Sequence, residues 1–339
     1  MRLVFVTQDV DPASPVLGAT VAKISALAAR VDEVAVLADR GIDEALPANC
    51  HIHRFGASSR PGRGVLFETA LARELARSPR PAAVVAHMCP IYAVLAAPLA
   101  RPLGVRVLLW FTHWRPSRLL QIAERVSTDV ITVERRSFPL SSDKVTAIGH
   151  GIDLNAFSCV AHPSGEAPAL LSLGRTSPAK GLEMVVRAVA RVPDARLSQF
   201  GPSLTDEERS HRAHLARLVT ELGVADRVVI GPPVPRQEVV GLLASATALV
   251  NNMRAGATDK VVFEAAATCL PVLASNPALD EFLPESLRFP RDDVGALARR
   301  IRSLSSLDLS TLGTELRARV ERDHSVEGWA ARVIEVASR

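Results

Sequence analysis

The sequence predicts an α/β protein built from two doubly wound parallel sheets. Short apolar runs of strand length alternate with helical segments along the whole chain, which is the pattern of parallel strands joined by helices. The chain has 339 residues, too many for one ordinary core, and fits two domains of about 150 to 170 residues each. A stretch with Pro, Ser and Gly at 157–168 predicts a linker between the two alternating sets.

Each predicted strand of the first half is a short apolar run, and the runs are 2–7, 33–38, 51–55, 83–87, 105–112, 129–133 and 145–148. The second half repeats the arrangement with runs at 169–173, 195–200, 227–230 and 248–252 and a last one ending at Ser275. Thr205 to Glu208 has the form of a capping box and predicts a helix that ends near Gly223. We place the first domain at 1–160 and the second at 161–324.

Composition excludes several classes of protein. Hydrophobic residues make up 48% of the chain, which excludes intrinsic disorder. No apolar run approaches the roughly 18 residues of a membrane span, and the first strand begins at residue 2, which predicts that no signal peptide is present. We expect a cytoplasmic protein. Cys50, Cys89, Cys159 and Cys269 lack C-x-x-C spacing, so reduced thiols are expected, with no zinc site or disulfide framework.

The net charge of +4 is mild, and most basic residues are arginines spread along the helices. A solvated surface is one interpretation, and attraction to anionic substrates or to an anionic membrane is the other. Aromatic residues are 4% of the chain, too few for base-stacking platforms, so we expect no nucleic-acid partner.

Segment 174–181 carries the strongest functional signal. It follows the run 169–173 and precedes an amphipathic helix whose apolar stripe is Leu182, Val185, Val186 and Val189. Arg175 and Lys180 therefore lie where a strand passes into a helix N-terminus, a place that favours anions. Both side chains suit phosphate oxygens, so the segment predicts a phosphate or diphosphate site. Solvated surface cations are the alternative.

A second signal lies in segment 258–275, which predicts a loop, a short helix, a turn and a strand. The loop follows the run 248–252 and so lies at the carboxyl end of a strand, where open α/β sheets bind ligands. Glu264 lies one turn into an otherwise apolar helix, and an unpaired buried carboxylate is costly. It suits the hydroxyls of a ribose, and the alternative is a Lys or Arg partner on a neighbouring helix.

These motifs together resemble the retaining family 4 glycosyltransferases of GT-B fold. The segment 174–181 is similar to that family's G-R-x-x-x-x-K-G, and 264–272 is similar to its E-A-M-A-x-G-x-P-V. Pro15-Val16-Leu17-Gly18 after the first strand, 110–113 after a later strand and the segment 150–157 agree with the family in the same order. The resemblance covers nearly the whole chain.

The resemblance implies two Rossmann-like domains facing across a cleft, with the acceptor on the first domain and a nucleotide-diphosphate sugar of unknown base on the second. It implies that the last helix, 325–339, packs back on the first domain. His113, Arg175 and Lys180 are the implied catalytic residues. The implied donor-binding residues are Gly18, Gly174, Arg175, Lys180, Thr258, Asp259, Lys260, Val261 and Glu264.

Two departures from the family pattern affect the expected site. Gly256 stands where the family's first motif Glu orients the donor sugar, so Asp259 and Lys260 take over, or the sugar is altered. Cys269 stands where the family has a helix-ending Gly. Because Cys does not adopt the left-handed conformation cheaply, we expect a different helix cap there.

The first domain offers further polar residues at strand ends. Asp9 and Asp11 form a D-x-D directly after the first strand, and their position favours acceptor contacts or loop solvation over a metal site. His113 is expected to hydrogen-bond the donor sugar, with a structural imidazole as the alternative, and His87 is a weaker candidate. No metal or other cofactor is expected, because no His, Cys or carboxylate cluster has ligand spacing.

Two functions follow from these residues. The first is a metal-independent, retaining transferase that moves a sugar from a nucleotide donor to a hydroxyl of a small molecule, a natural product or a lipid-linked glycan. Retention is implied by the resemblance, and the departing diphosphate is expected to take the acceptor's proton. The second is a nucleotide-sugar-binding partner protein of the same fold with reduced catalysis, which the loss of the first motif Glu favours.

Overall fold

The computed structural model describes residues 1–14 and 17–339, which form two compact units. The first unit holds Met1–Asp153 and Asp323–Arg339, and the second holds Leu154–Arg322. Strands and helices alternate in both units, as predicted, and the strands of each sheet run parallel. Pro15 and Val16, part of the loop compared above, lie outside the described residues.

The first unit contains a seven-stranded sheet in the order β3-β2-β1-β4-β5-β6-β7. Its strands are β1 (Arg2–Val10), β2 (Glu33–Gly41), β3 (Cys50–Arg54), β4 (Ala83–His87), β5 (Arg106–Trp110), β6 (Asp129–Thr132) and β7 (Val145–Ala147). The second unit contains a five-stranded sheet in the order β10-β9-β8-β11-β12. Its strands are β8 (Ala169–Leu173), β9 (Arg196–Phe200), β10 (Val228–Gly231), β11 (Ala248–Asn251) and β12 (Val272–Ala274).

Helices connect these strands in chain order. They are α1 (Ala19–Ala28), α2 (Arg60–Ala76), α3 (Pro90–Ala100), α4 (Arg118–Val126), α5 (Leu182–Ala190), α6 (Asp206–Glu221), α7 (Arg236–Ala244), α8 (Lys260–Ala267), α9 (Val294–Ser303), α10 (Leu309–His324) and α11 (Val326–Ala337). Within the described ranges, none of these helices combines the length and the apolar character that a membrane crossing requires.

The sheet of the first unit buries both of its faces. Val4 and Val6 of β1 pack in one core with Phe67 of α2 and residues of α3 and α4. Leu3 and Phe5 point to the opposite face, because side chains alternate along a strand, and pack with residues of α1 and α11. The last helix therefore belongs to the first unit, where Trp329 is fully buried.

Several strands of the first unit differ in length from their predicted runs, and the differences in β1 and β5 change the positions of predicted site residues. Pairing with β2 continues beyond Thr7 through Asp9 and Val10, so Asp9 lies inside β1 and not after it. β5 ends at Trp110, and His113 therefore lies in the following loop, where its backbone N–H donates to the carbonyl of Ser137. Apolar runs overstate or understate a strand because its ends are set by pairing with neighbours.

The second unit is built around α5 and α8. The predicted stripe of α5 is confirmed, since Leu182, Val185, Val186 and Val189 are all buried. The capping box of α6 is also present: the hydroxyl of Thr205 accepts from the backbone N–H of Glu208 at 3.2 Å. The carboxylate of Glu208 accepts a hydrogen bond from the backbone N–H of Leu204, the residue before Thr205, at 2.6 Å. Helix α7 was not identified from the sequence.

The expectation of four reduced thiols was wrong, because Cys159 and Cys269 form a disulfide with their Cα atoms 5.0 Å apart. They are 110 residues apart in the chain, so spacing could not indicate the pair. The expected change of helix cap was also wrong: Cys269 adopts the left-handed conformation, with φ of 64°, that glycine usually takes after a helix. Cys50 and Cys89 are free, and burial raises the pKa of Cys50 to about 11 and that of Cys89 to about 12.

Candidate functional site

The second unit places its polar residues at the point where the direction of strand connection reverses. β8 lies between β9 and β11, and the chain leaves β8 toward β9 but returns to the other side of β8 as β11. The carboxyl ends of β8 and β11 therefore border the crevice in which open α/β sheets bind ligands. Segments 174–181 and 252–259, which follow these two strands, meet here: the backbone N–H of Arg254 donates to the carbonyl of Ala179 at 3.1 Å.

Lys180 is held at this edge by a carboxylate from the second loop. Its Nζ lies 2.5 Å from Oδ2 of Asp259, and the amide of Asn251 donates to the same oxygen at 2.8 Å. The side chains of Lys180 and Asp259 are 13% and 23% exposed, so the pair is partly shielded from water. The predicted residues of the two motifs, 79 positions apart, thus form one ion pair.

Glu264 forms a second ionic cluster on α8. Its Oε1 lies 3.0 Å from Nζ of Lys260, one turn earlier, and 3.0 Å from Nη2 of Arg236 at the start of α7. The Arg236 guanidinium also lies 5.3 Å from the ring centre of Phe157. Glu264 thus has an Arg partner on a neighbouring helix, which was the alternative to a role in binding ribose. Its ion pairs with Arg236 and Lys260 are both made by Oε1. Thr258, just before the helix, is buried, and Val261 is half-buried.

Burial and charge shift the ionisation of this cluster in known directions. Burial opposes the charge of Glu264, but Lys260 and Arg236 outweigh it and hold the pKa of Glu264 below its ordinary value. Burial lowers the pKa of Lys260; the charge of Glu264 opposes that shift and the charge of Arg236 adds to it. The cluster is thus an ionised carboxylate between two cations.

Arg175 is paired outside these two clusters. Its Nη1 lies 3.1 Å from Oε1 of Glu208, the capping-box residue of α6, and the Arg175 side chain is 52% exposed while that of Glu208 is 5% exposed. The ion pair holds one nitrogen of the Arg175 guanidinium, and about half of the side-chain surface is exposed to solvent. An anionic ligand can therefore reach the guanidinium.

Glycines allow the backbone of these loops to pass close to the cations. Gly174 has φ of 119°, and a Cβ there would lie 2.8 Å from Nζ of Lys180. Gly181, with φ of 57°, precedes α5 directly, and a Cβ there would lie 2.3 Å from the amide nitrogen of Asn252. Gly256 has φ of 117°, a conformation that a Glu at this position would adopt only with strain. The loop backbone thus suits glycine where the resembled family has its first motif Glu.

In the first unit, both predicted acceptor-binding carboxylates already have partners. Asp9 is mostly buried, and its Oδ2 lies 3.3 Å from Nη2 of the exposed Arg40. Asp11 accepts the backbone N–H of Ala13 at 2.8 Å and so supports the turn after β1. Gly18 directly precedes α1 with an ordinary helical φ of −55°. No group of three or more potential metal ligands occurs within residues 1–14 and 17–339.

Two histidines of the same unit lie at the carboxyl ends of strands: His87 is the last residue of β4, and His113 lies in the loop after β5. Nδ1 of His113 accepts the backbone N–H of Arg115 at 3.0 Å, so a neutral His113 carries its proton on Nε2. His87 is buried against Trp110, with ring centres 6.2 Å apart, and its Nδ1 has no hydrogen-bond partner. Burial, and to a lesser extent the charge of Lys23, lowers the pKa of His87 well below its ordinary value.

Arg236 and Asn251 are site residues that the sequence analysis missed. Arg236 opens a helix without a clear apolar stripe, and Asn251 was assigned to a buried strand without a role. The polar pair Asn251-Asn252 at the end of an apolar run was the available signal, because polar residues at the carboxyl ends of parallel strands often line a crevice. For Arg236, contact with Glu264 depends on tertiary structure alone.

The segment that carries these clusters is similar in sequence to one family of known proteins. Residues 167–306 match the family described as glycosyl transferases group 1. The D-inositol 3-phosphate glycosyltransferase of Thermobispora bispora is 27% identical over 179 residues, which are 47% of this chain and 41% of that protein. The GDP-mannose-dependent alpha-(1-6)-phosphatidylinositol monomannoside mannosyltransferase of Mycolicibacterium smegmatis is 27% identical over 215 residues, 53% of this chain and 55% of that protein. The chain thus spans about half the length of these curated relatives or less.

Solved structures extend the similarity of fold to the whole chain. The sucrose-phosphate synthase of Thermosynechococcus elongatus has a TM-score of 0.80 at 20% identity and covers 99% of this chain and 98% of its own. Anabaena HepE in complex with UDP has a TM-score of 0.79 at 16% identity, with both chains fully covered. Residues 167–306 are therefore similar in sequence to the group 1 glycosyl transferases, and the chain that contains them has the GT-B fold.

Proposed function

We propose that this protein is a nucleotide-sugar-dependent, retaining glycosyltransferase of family 4. The observation that carries the proposal is the ion pair between Lys180 and Asp259 at the carboxyl ends of β8 and β11, inside the segment that matches the group 1 family. A diphosphate brings negative charge to a partly shielded ammonium beside the N-terminus of α5, where it is favoured. The half-exposed Arg175 supplies a second cation with a planar hydrogen-bonding fork.

In the proposed reaction the acceptor's hydroxyl oxygen bonds to the anomeric carbon as the bond from that carbon to the diphosphate oxygen breaks. The products are a glycoside, a nucleoside diphosphate and the proton released by the hydroxyl. Lys180 and Arg175 stabilise the charge that grows on the departing diphosphate, which is where fixed cations lower a barrier most. Glu264 is proposed to accept hydrogen bonds from the ribose hydroxyls, and its two cations keep it ionised for that role.

Retention of the anomeric configuration is part of the proposal. The loop position where the resembled family has its first motif Glu is Gly256, so we propose a same-face route in which the departing diphosphate takes the acceptor's proton. His113 is proposed to contact the donor sugar through Nε2–H, the proton position that its bond from Arg115 favours. An α-linked product from an α-linked donor, identified by NMR, is expected, and a β-linked product would exclude this route.

Metal independence is also proposed, because Lys180 and Arg175 can neutralise the diphosphate without a divalent cation. Full activity after treatment with EDTA is expected. Loss of activity with EDTA that magnesium or manganese restores would instead make Asp9 and Asp11 candidate ligands.

A second candidate function is a nucleotide-sugar-binding partner protein with reduced catalysis. Gly256 favours it, because glycine provides no carboxylate at that position to orient the donor sugar. Such a protein would bind nucleoside diphosphate but would not release it from any sugar donor.

Release of nucleoside diphosphate from a panel of UDP- and GDP-sugars tests the proposal and separates these two functions. The panel follows the relatives, because one is named for GDP-mannose and HepE was solved with UDP-glucose. We expect release with at least one donor and a loss of about a hundredfold or more in Lys180→Ala, as for removal of one oxyanion donor. Arg209→Ala, which removes an exposed cation of α6, is the matched control and should retain full activity. Binding without release from any donor would favour the partner protein.

The acceptor is proposed to be a hydroxylated small molecule or a lipid-linked glycan, with Asp9 and Asp11 as contacts. The curated relatives are named for both kinds, an inositol phosphate and a phosphatidylinositol mannoside. Leu119 and Ile122 are exposed on α4 beside Arg118 and Arg125, which suits contact with an anionic membrane. Co-sedimentation with anionic liposomes that weakens at high salt would support the lipid-linked acceptor. No co-sedimentation would support a small-molecule acceptor. A cytoplasmic location belongs to the same proposal, and cell fractionation tests it.

A further inference from the structure

A pocket of about 340 Å³ lies beside the disulfide in the second unit. The linker after Cys159 forms one wall, the turn from Cys269 to Pro271 forms another, and residues 304–314 close the pocket with Ser305, Asp308 and Ser310. Cys159 is exposed, whereas Cys269 is only 7% exposed. Both cysteines line the pocket, so a small molecule bound there lies beside the disulfide. The volume of the pocket is at the lower end of the range of about 300–1,000 Å³ for small-molecule sites.

The disulfide joins the linker to the end of α8. The carbonyl of Thr268 accepts the backbone N–H of Val160 at 3.2 Å and lies 2.6 Å from Nε2 of His162. Arg317 of α10 donates to the carbonyls of Phe157 and Ala267, both at 2.5 Å. Two linker hydrogen bonds, one arginine and one covalent bond thus fix the end of the helix that carries Lys260 and Glu264.

Cys269, one end of the disulfide, adopts a conformation that is rare for cysteine. Its φ is 64°, where an L-residue other than glycine is strained. Its carbonyl packs closely on α10, because a Cβ at Gly313 would lie 1.9 Å from that oxygen. Breaking the disulfide removes one restraint from a strained residue that ends α8.

We propose that the Cys159–Cys269 disulfide is an exchange site for a low-molecular-weight thiol. The thiolate attacks Sγ of Cys159, which is the more exposed residue of the pair, the S–S bond breaks, and its electron pair leaves on Sγ of Cys269, which takes a proton. A second thiolate then attacks the small molecule's sulfur in the mixed disulfide, so that the oxidised small disulfide forms and Sγ of Cys159 leaves as a thiolate, which takes a proton. Two thiols are oxidised and the protein disulfide is reduced to two thiols. Such reversible disulfides are the kind found in cytoplasmic proteins.

The exchange is proposed to tune nucleotide binding, a consequence that rests on the function proposed above. Glu264 is five residues before Cys269, so loosening the helix end moves the carboxylate relative to Lys260 and Arg236. We expect reduction to weaken the binding of UDP or GDP roughly tenfold, the factor that corresponds to about 1.4 kcal/mol.

The test uses the full chain with Cys50→Ser and Cys89→Ser, so that only the pair titrates. After treatment with oxidised glutathione we expect no titratable thiol in the denatured protein, and after dithiothreitol we expect two. After a brief treatment with reduced glutathione, peptide mass spectrometry should find the glutathione adduct on Cys159. Two free thiols after oxidation, or an adduct on Cys269 alone, would overturn the exchange site.

Two further variants test the coupling. Cys159→Ser should bind UDP or GDP as weakly as the reduced protein and should not respond to dithiothreitol. Cys159→Ser with Cys269→Gly should recover much of the affinity, because glycine adopts the left-handed conformation without strain. Equal affinity in oxidised and reduced protein would overturn the coupling. If neither nucleotide binds in either state, the proposed function fails, whereas the exchange site is still judged by thiol titration and by a lower unfolding midpoint after reduction.

Discussion

Replacing Lys180 with methionine removes one cation and leaves its partner in place, and the structure separates the two consequences. The carboxylate of Asp259, 23% exposed, keeps the amide of Asn251 at 2.8 Å as a hydrogen-bond donor but loses the ammonium at 2.5 Å. Exposed pairs are worth about 0.2–1 kcal/mol, and breaking a fully buried pair costs about 3–5 kcal/mol. We therefore expect a loss of about 1–3 kcal/mol in the free energy of unfolding, measured with urea.

Activity should fall further than stability explains. Removing one fixed donor to a developing anion costs about 2.7–4 kcal/mol in the barrier, which is a rate loss of about a hundred- to a thousandfold. The variant should still be folded when turnover is measured by release of nucleoside diphosphate.

The double variant Lys180→Met with Asp259→Asn distinguishes a chemical role from a structural one. Because Asp259→Asn removes the carboxylate that Lys180→Met leaves without its cation, the double variant should regain most of the free energy of unfolding that the single variant loses. Its turnover should stay low. Arg209→Met, in an exposed pair with Asp206, should change stability by less than about 0.5 kcal/mol. Recovery of near-parental turnover in the double variant would refute the assignment, because Lys180 would then serve only to balance Asp259.

Three other predictions follow from the described contacts. Glu264→Gln should weaken the binding of UDP or GDP, measured by calorimetry, and should weaken that of a sugar donor equally. Equal affinity in variant and parent would leave Glu264 a structural role as the partner of Arg236 and Lys260. His113→Ala should lower kcat more than it lowers nucleotide affinity, and a change confined to nucleotide affinity would remove His113 from the sugar. The pKa of His87 is lowered in the folded protein, so below pH 6.5 the unfolded chain binds a proton that the folded protein does not. The free energy of unfolding should therefore be highest above pH 6.5 and fall by about 1.4 kcal/mol per pH unit below it. His87→Gln should flatten this pH dependence in urea unfolding, and an unchanged slope would contradict the effect of burial.

Local pattern predicted the strands and the loops that hold the second-unit site. The runs at 169–173 and 248–252 became adjacent strands, because buried parallel strands are continuous apolar segments with clear ends. The same rule brings the loops after them to one edge of the sheet, which is how Lys180 meets Asp259 across 79 positions.

Contacts that depend on tertiary structure could not be predicted. Arg236, the first residue of α7, reaches Glu264 of α8 only through the tertiary fold, and nothing near either residue in the sequence indicates that contact. The disulfide and the left-handed Cys269 have the same origin, since the fold brings the linker to the end of α8. Local propensity disfavours cysteine in that conformation, and here the tertiary structure around the end of α8 overrides it.

We propose above that the carboxyl ends of β8 and β11 bind the diphosphate of a nucleotide sugar. A crystal structure with UDP or GDP, whichever binds more tightly by calorimetry, would locate that diphosphate. We expect phosphate oxygens within about 3.2 Å of Nζ of Lys180 and of the Arg175 guanidinium, a normal hydrogen-bond distance, with the ribose hydroxyls on Glu264. A diphosphate bound away from Lys180, with the ion pair to Asp259 intact, would show that these strand ends are not the diphosphate site.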